Sequence, residues 1–184
     1  MPFIPRAQAN DREAFARLFE QYKNLVFKTA YLMFGNKEEA EDALQEVFIQ
    51  VHRSLSTYDP RKGAFSTWLH RITVNYCLNQ GRKRHAHLLA LEEVSAVFAH
   101  EFPSDRLAEK EAVEQALSRL SDRQKAVVIL RYYWALPYSE ISVILDIPLG
   151  TVKSRLDLAL KTMRKIIREQ DYYPGLAPEA KVEP

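Results

Sequence analysis

Apolar residues recur along this 184-residue chain at the three-and-four spacing of amphipathic helices, and no stretch alternates with the period of two that a half-buried strand requires. Asn10, with Glu13 three positions on, reads as a helix N-cap and its reciprocal partner. Phe15, Leu18, Phe19, Tyr22, Leu25, Val26 and Thr29 then form one stripe, stopped at Gly35. Asn36 and Glu39 repeat the capping pattern before a second stripe of Ala40, Ala43, Leu44, Val47, Phe48, Val51 and Leu55. Tyr58-Asp59-Pro60 halts it, because a residue preceding proline avoids the helical region. Ser66 is placed to cap a third helix carrying Trp68, Leu69, Ile72 and Tyr76, and the three helices together can close one core.

The pattern weakens over residues 86–104, read as a linker, with a short docked helix from Leu88 to Phe98 as the alternative. A helix over about 105–119 follows, then a capping box of Ser121 and Gln124 ahead of Ala126, Val127, Ile129 and Leu130. After Ala135-Leu136-Pro137 come a short helix near 138–145, a turn at Asp146-Ile147-Pro148 and a long basic helix over about 150–169. The expected fold is all-α: two small helical domains joined by a linker, the C-terminal one a helix-turn-helix. Its parts are residues 1–85, a linker 86–104, residues 105–170 and a flexible tail 171–184.

Composition narrows the class. No apolar run approaches the roughly 18 residues of a membrane span, so membrane insertion is not expected. The single cysteine, Cys77, excludes an internal disulfide framework, fits a reducing compartment and reads as a small core residue. Met1 to Arg6 shows no signal-peptide pattern, and a cytoplasmic location is expected. The net charge of +2 conceals blocks: residues 1–85 carry 13 Lys/Arg against 9 Asp/Glu, 86–118 carry 2 against 7, and 119–170 carry 10 against 5. Two basic blocks about an acidic connector suit two surfaces facing one polyanion, although a solvated charge run is the plainer alternative.

In the helix-turn-helix, Ile141, Ile144, Leu145 and Ile147 face inward against Val152, Leu156, Ala159 and Met163. Thr151, Lys153, Ser154 and Arg155 are left outward in the first turns of the last helix, where a recognition helix meets base edges. Lys161, Arg164, Lys165 and Arg168 lie further along, within reach of phosphates or a protein partner. The first basic block is less common: residues 61–84 hold six Lys/Arg (Arg61, Lys62, Arg71, Arg82, Lys83, Arg84) and no acid. Arg71, Asn75, Asn79 and Arg82 share one helical face, with Phe65, Trp68 and Tyr76 nearby and Trp68 partly core. Positive charge tracks a backbone, aromatic rings stack on bases and asparagine reads an exposed base edge, a combination suited to unpaired bases.

Glu38, Asp42 and Glu46 recur every four residues on a helix that also carries Glu39, Glu41 and Gln45. That face admits three readings: a divalent-metal site for phosphodiester chemistry, a docking face for a basic partner helix, or a solvated face favoured near a helix N-terminus. No His/Asp cluster supports the metal, since His52 is alone on that helix.

Together these residues resemble an extracytoplasmic-function (ECF, group IV) RNA polymerase sigma factor over about residues 8–169. The resemblance rests on Ala40-Glu41-Asp42-Ala43-Leu44-Gln45-Glu46-Val47-Phe48, on Phe65-Ser66-Thr67-Trp68-Leu69 with Asn75 beyond, and on Gly150-Thr151-Val152-Lys153-Ser154-Arg155-Leu156. It implies that Asp42, Gln45, Glu46 and Phe48 help dock the chain on the β′ coiled coil of core RNA polymerase. It implies that Arg61, Lys62, Phe65, Ser66, Thr67, Trp68, Arg71, Asn75, Asn79, Arg82 and Arg84 melt and hold the minus-ten element as single-stranded DNA. It implies that Thr151, Lys153, Ser154, Arg155, Lys161 and Arg164 read the duplex minus-thirty-five element.

Further implied partners are the β subunit and an anti-sigma factor, with no cofactor, no metal and no enzymatic activity of its own, the polymerase doing the chemistry. The chain departs from the family at Asp157-Leu158-Ala159-Leu160, where further arginines are frequent, and at Asn79, where aspartate is. Ser142 and Ala135 likewise stand at positions of a common alanine and glycine. The rival classes are a stand-alone helix-turn-helix regulator, which leaves the acid-free aromatic block unexplained, and a metal-dependent nuclease, which lacks a histidine cluster.

Overall fold

A computed structural model describes residues 3–88 and 107–169. The sequence-predicted linker core, its alternative helix beyond Leu88 and the tail lie outside the described residues.

A short helix not expected from the periodicity, α1 (Phe3–Gln8), opens the chain and buries Ile4 and Ala7. Asn10 follows in the left-handed region at φ 63°, so it ends α1 and does not cap the next helix. The cap of α2 (Arg12–Phe34) is Asp11, whose carboxylate accepts from the amides of Glu13 and Ala14. An ionised oxygen satisfies two orphan donors at a positive helix end. Gly35 closes α2 at φ 80°, a backbone that glycine adopts without a Cβ penalty, and donates to the Tyr31 carbonyl at 2.7 Å. Asn36 caps α3 (Lys37–Ser54) through the Glu39 amide, as its spacing predicts.

After one 3-10 turn (Leu55–Thr57) and a loop, α4 runs from Phe65 to Leu88. Ser66 therefore lies inside α4 and is not its cap; the helix starts two residues before such a cap would place it, the Trp68 amide donating to the Ala64 carbonyl.

The C-terminal unit begins with α5 (Leu107–Ser118) and α6 (Asp122–Val128), the latter started by the Ser121–Gln124 capping box. α6 runs on through a π-helical turn (Ile129–Tyr133), in which the Trp134 amide reaches back to the Ile129 carbonyl at 3.1 Å. Ala135 then takes a left-handed backbone at φ 53°. α7 (Tyr138–Leu145), a left-handed Asp146 and α8 (Leu149–Glu169) complete the helix-turn-helix. Two small helical units are thus present, and no strand occurs among the described residues.

One core of the N-terminal unit gathers Leu18, Tyr22, Val26, Val47, Phe48, Val51, Leu55, Phe65 and Leu69. The second core does not stop at the unit boundary. Ala30, Met33, Ala43, Val74 and Cys77 belong to the same buried cluster as Leu120, Val127, Leu130, Ile141, Ile144, Val152 and Leu156. Burial pushes the Cys77 thiol up to about 12, so this sulfur behaves as a small apolar group.

Candidate nucleic-acid interface

α4 presents Arg71, Asn75, Asn79 and Arg82 as exposed side chains at three- and four-residue intervals, hence along one face. Arg82 donates to the Asn79 carboxamide oxygen, which fixes that amide with its NH2 group directed elsewhere. At the N-terminal end of this face, Trp68 is half-buried, tilted against Tyr58 and Phe65 at 5.6 and 5.4 Å. Tyr58 ties the preceding loop down by donating to the Gly63 carbonyl at 3.1 Å. Lys62 is exposed in that loop; Arg61 is too, but its guanidinium forks onto Asp59 at 2.9–3.3 Å. The guanidinium and the Arg61 amide hold the Asp59 carboxyl below the usual carboxylate range. An exposed pair of this kind exchanges readily for a phosphate.

Two residues singled out in the sequence are corrected. Phe65 is 3% exposed, with its ring against Tyr22, Tyr58 and Trp68, so it cannot offer a face to a base and instead props Trp68. Phe48 is 5% exposed, packed edge-on to Phe15 and Phe19, so it holds α3 against α2 and leaves docking to its polar neighbours. Apolar periodicity marks which residues lie on a helix's inner face, and both rings belong there. Asp42, Gln45 and Glu46 are exposed on the outer face of α3. Arg84 stacks over Phe34 at 4.8 Å and donates to Glu39 Oε1 at 2.7 Å. Ser66 and Thr67 are half-buried in the first turn of α4.

In the helix-turn-helix, Val152, Leu156 and Ala159 are buried against Ile141 and Ile144, as the spacing predicts. That anchors the opposite face of α8 outward: Lys153 and Ser154 are exposed, with Thr151 and Arg155 half-buried beside them. Burial and the neighbouring Arg123 both pull the Arg155 pKa down. Two guanidiniums this close make a local positive potential that an anion relieves. Lys161 pairs with Asp157 at 2.9 Å and Arg164 is exposed one turn on.

Sequence reasoning missed the device that shapes the turn. Ser142 donates through Oγ to the Ile147 carbonyl at 2.6 Å, and its own carbonyl accepts from the Ile147 amide at 3.2 Å, bracketing the left-handed Asp146. It also missed His70, 2% exposed on the inner side of α4. Among the described residues, no three His, Cys, Asp or Glu side chains gather so as to hold a metal ion, and no helix is long and apolar enough to cross a membrane.

The molecule thus carries a basic helix-turn-helix and a second, acid-free helical face beside tilted aromatic rings. Residues 18–87 match the Sigma-70 region 2 family and residues 110–163 the Sigma-70 region 4 family. The chain is 32% identical over 179 residues to the ECF RNA polymerase sigma factor SigW of Bacillus subtilis, spanning 90% of this chain and 95% of that one. It is 36% identical over 165 residues to the ECF sigma factor SigM of Mycobacterium tuberculosis, spanning 86% and 80%. The chain belongs to the ECF RNA polymerase sigma factor family. Its fold is similar to that of the sigma factor RpoE of Bartonella quintana, solved with the anti-sigma factor NepR, at TM-score 0.68, 21% identity, and coverage of 84% and 96%. It is also similar to CnrH, solved with the cytosolic domain of CnrY, at TM-score 0.66, 20% identity, and coverage of 91% and 96%.

Proposed function

We propose that this chain, a group IV alternative sigma factor, binds core RNA polymerase in the cytoplasm, selects promoters and opens their minus-ten region. Residues 1–85 carry polymerase docking and strand opening, 105–170 carry upstream recognition, and the intervening segment tethers them. Asp42, Gln45 and Glu46 present the acidic docking face to the β′ subunit, with the β subunit as a further contact. Lys62, Trp68, Arg71, Asn75, Asn79 and Arg82 capture the unpaired strand, Arg61 joining them when phosphate displaces Asp59. Thr151, Lys153, Ser154 and Arg155 read the upstream duplex, while Lys161 and Arg164 meet its phosphates. The chain itself carries out no catalysis. An anti-sigma factor covering these surfaces would silence it.

The observation supporting this reading most is the exposed polar face of α4, in a segment with six cations and no acid between residues 61 and 84. Capturing unstacked bases on such a face offsets an opening cost of about a few kcal/mol. Transcription with core polymerase on a cognate promoter tests it. Asn75→Ala should lose strand opening, read by permanganate reactivity, while retaining polymerase binding. Arg155→Ala should weaken upstream recognition. Two variants that transcribe like wild type would refute these assignments.

A further inference from the structure

The outer face of α8 carries one side chain that its neighbours do not account for. Leu158 is 56% exposed in the third turn of the helix. The four residues one turn away along the helix, Ser154, Arg155, Lys161 and Thr162, are all polar. The buried stripe of Val152, Leu156 and Ala159 lies on the other side, where α8 packs on α5, α6 and α7. Leu158 is thus outside the core, and leaving it in water forgoes the burial its side chain could contribute.

The polar groups around it are turned aside. Thr162 Oγ1 donates to the Leu158 carbonyl at 3.0 Å, and Ser154 Oγ donates to the Thr151 carbonyl at 3.2 Å. Lys161 leans to Asp157 at 2.9 Å. Both hydroxyls therefore lie back on the helix backbone, and the isobutyl group projects beyond them.

Its position on the helix decides what it meets. Leu158 follows Ser154 by four residues, so it is displaced about 6 Å along the axis and about 40° around it. That shift spans about two base pairs at about 3.4 Å each. A helix that lays Thr151, Lys153 and Ser154 on base edges brings Leu158 over the next steps of the same major groove, ahead of the phosphates met by Lys161 and Arg164. The floor of that groove offers one apolar group, the 5-methyl of thymine, whereas the other bases present donors and acceptors that a leucine leaves unpaired. A lone exposed leucine on an arbitrary surface needs no partner. One set among residues that read base edges meets a base whenever the helix is seated.

We propose that Leu158 is a specificity-determining residue, reading a thymine in the upstream promoter duplex through its 5-methyl group. The proposal rests on the promoter-binding reading of α8 given above. A leucine brings no charge, so it selects sequence without adding to the salt-dependent part of binding.

The experiment uses the full chain assembled with core RNA polymerase and a library of promoter duplexes randomised upstream. Wild type should enrich thymine at one position that Leu158→Ala leaves unselected, the other positions keeping their preferences. Affinity is then measured on the selected duplex and on the same duplex with deoxyuridine at that thymine, which deletes only the methyl group. Wild type should bind the deoxyuridine duplex about fourfold more weakly, the worth of one buried methyl group. Leu158→Ala should not tell the two duplexes apart, and its salt dependence should equal that of wild type because no phosphate contact is lost.

Unchanged selection by Leu158→Ala, or equal affinity of wild type for the thymine and deoxyuridine duplexes, would overturn the proposal. So would a Leu158→Ala chain, folded by circular dichroism, that fails to join core polymerase in the absence of DNA, since Leu158 would then belong to a protein interface. A wild-type chain that joins the polymerase but enriches no upstream sequence would overturn it through the promoter-binding reading and not through the leucine.

Discussion

His70 makes folding stability fall in mild acid. Its ring is 2% exposed, pressed against Trp134, and Nδ1 is buried without a hydrogen-bonding partner among the described residues. Burial alone pulls its pKa from the ordinary 6.5 down to about 4. The folded chain thus keeps His70 neutral where the unfolded chain protonates it. Stability is complete above pH 6.5 and is lost as pH falls towards 4, at about 1.4 kcal/mol per unit. At pH 5 the unfolded state has gained about one and a half units of protonation free energy, or about 2 kcal/mol, and the folded state almost none. Against a total of about 5–15 kcal/mol, that is a readily measured loss.

The assay is urea unfolding of wild type and His70→Leu at pH 7, 6 and 5, the variant having similar volume and no ionisable ring. Wild type should lose about 2 kcal/mol between pH 7 and 5, and the difference between the two chains should close or reverse over that range. The half-buried carboxylates Asp11 and Asp59, both with lowered pKa, titrate below this window and leave it to histidine. Equal pH dependence in the two chains would refute the reasoning, because His70 would then be solvated or paired.

Four further substitutions probe the scaffold. Ala135→Gly should stabilise the chain by about 0.5–1 kcal/mol in urea unfolding, by relieving the left-handed backbone at φ 53°. Phe48→Ala should cost about 3–5 kcal/mol because its ring is core, whereas Gln45→Ala on the exposed face of α3 should change stability by less than about 0.5 kcal/mol. Ser142→Ala should cost about 1 kcal/mol in unfolding and weaken duplex binding, since its hydroxyl holds the turn that orients α8.

The helices were legible because each advertises its own ends. Gly35, Asn36, and Ser121 with Gln124 all terminate or cap where their chemistry predicts, and the Ile141/Val152/Leu156 spacing foretells the helix-turn-helix interior. Asn10 misled because capping residues are interchangeable in sequence, and a neighbour with better geometry takes the role. Asp11 displaced Asn10 by offering a charged acceptor, whereas Ser66 lost its place because α4 begins at Phe65, two residues before a cap at Ser66 would start it. Phe48 and Phe65 showed the converse limit, in that a motif names a residue without saying which way its ring points. Nothing local encodes the seam between the units. Thr29, Thr67 and Trp134 acquire meaning only when helices distant in sequence meet.

The most direct test of the account is equilibrium binding of the full chain to purified core RNA polymerase, comparing wild type with Gln45→Ala combined with Glu46→Lys. Both positions are exposed, so the fold should be untouched. Stable binding by wild type that the double variant loses is the predicted result. Failure of the folded, inhibitor-free wild-type chain to bind core polymerase would contradict the central claim and favour a stand-alone DNA-binding regulator.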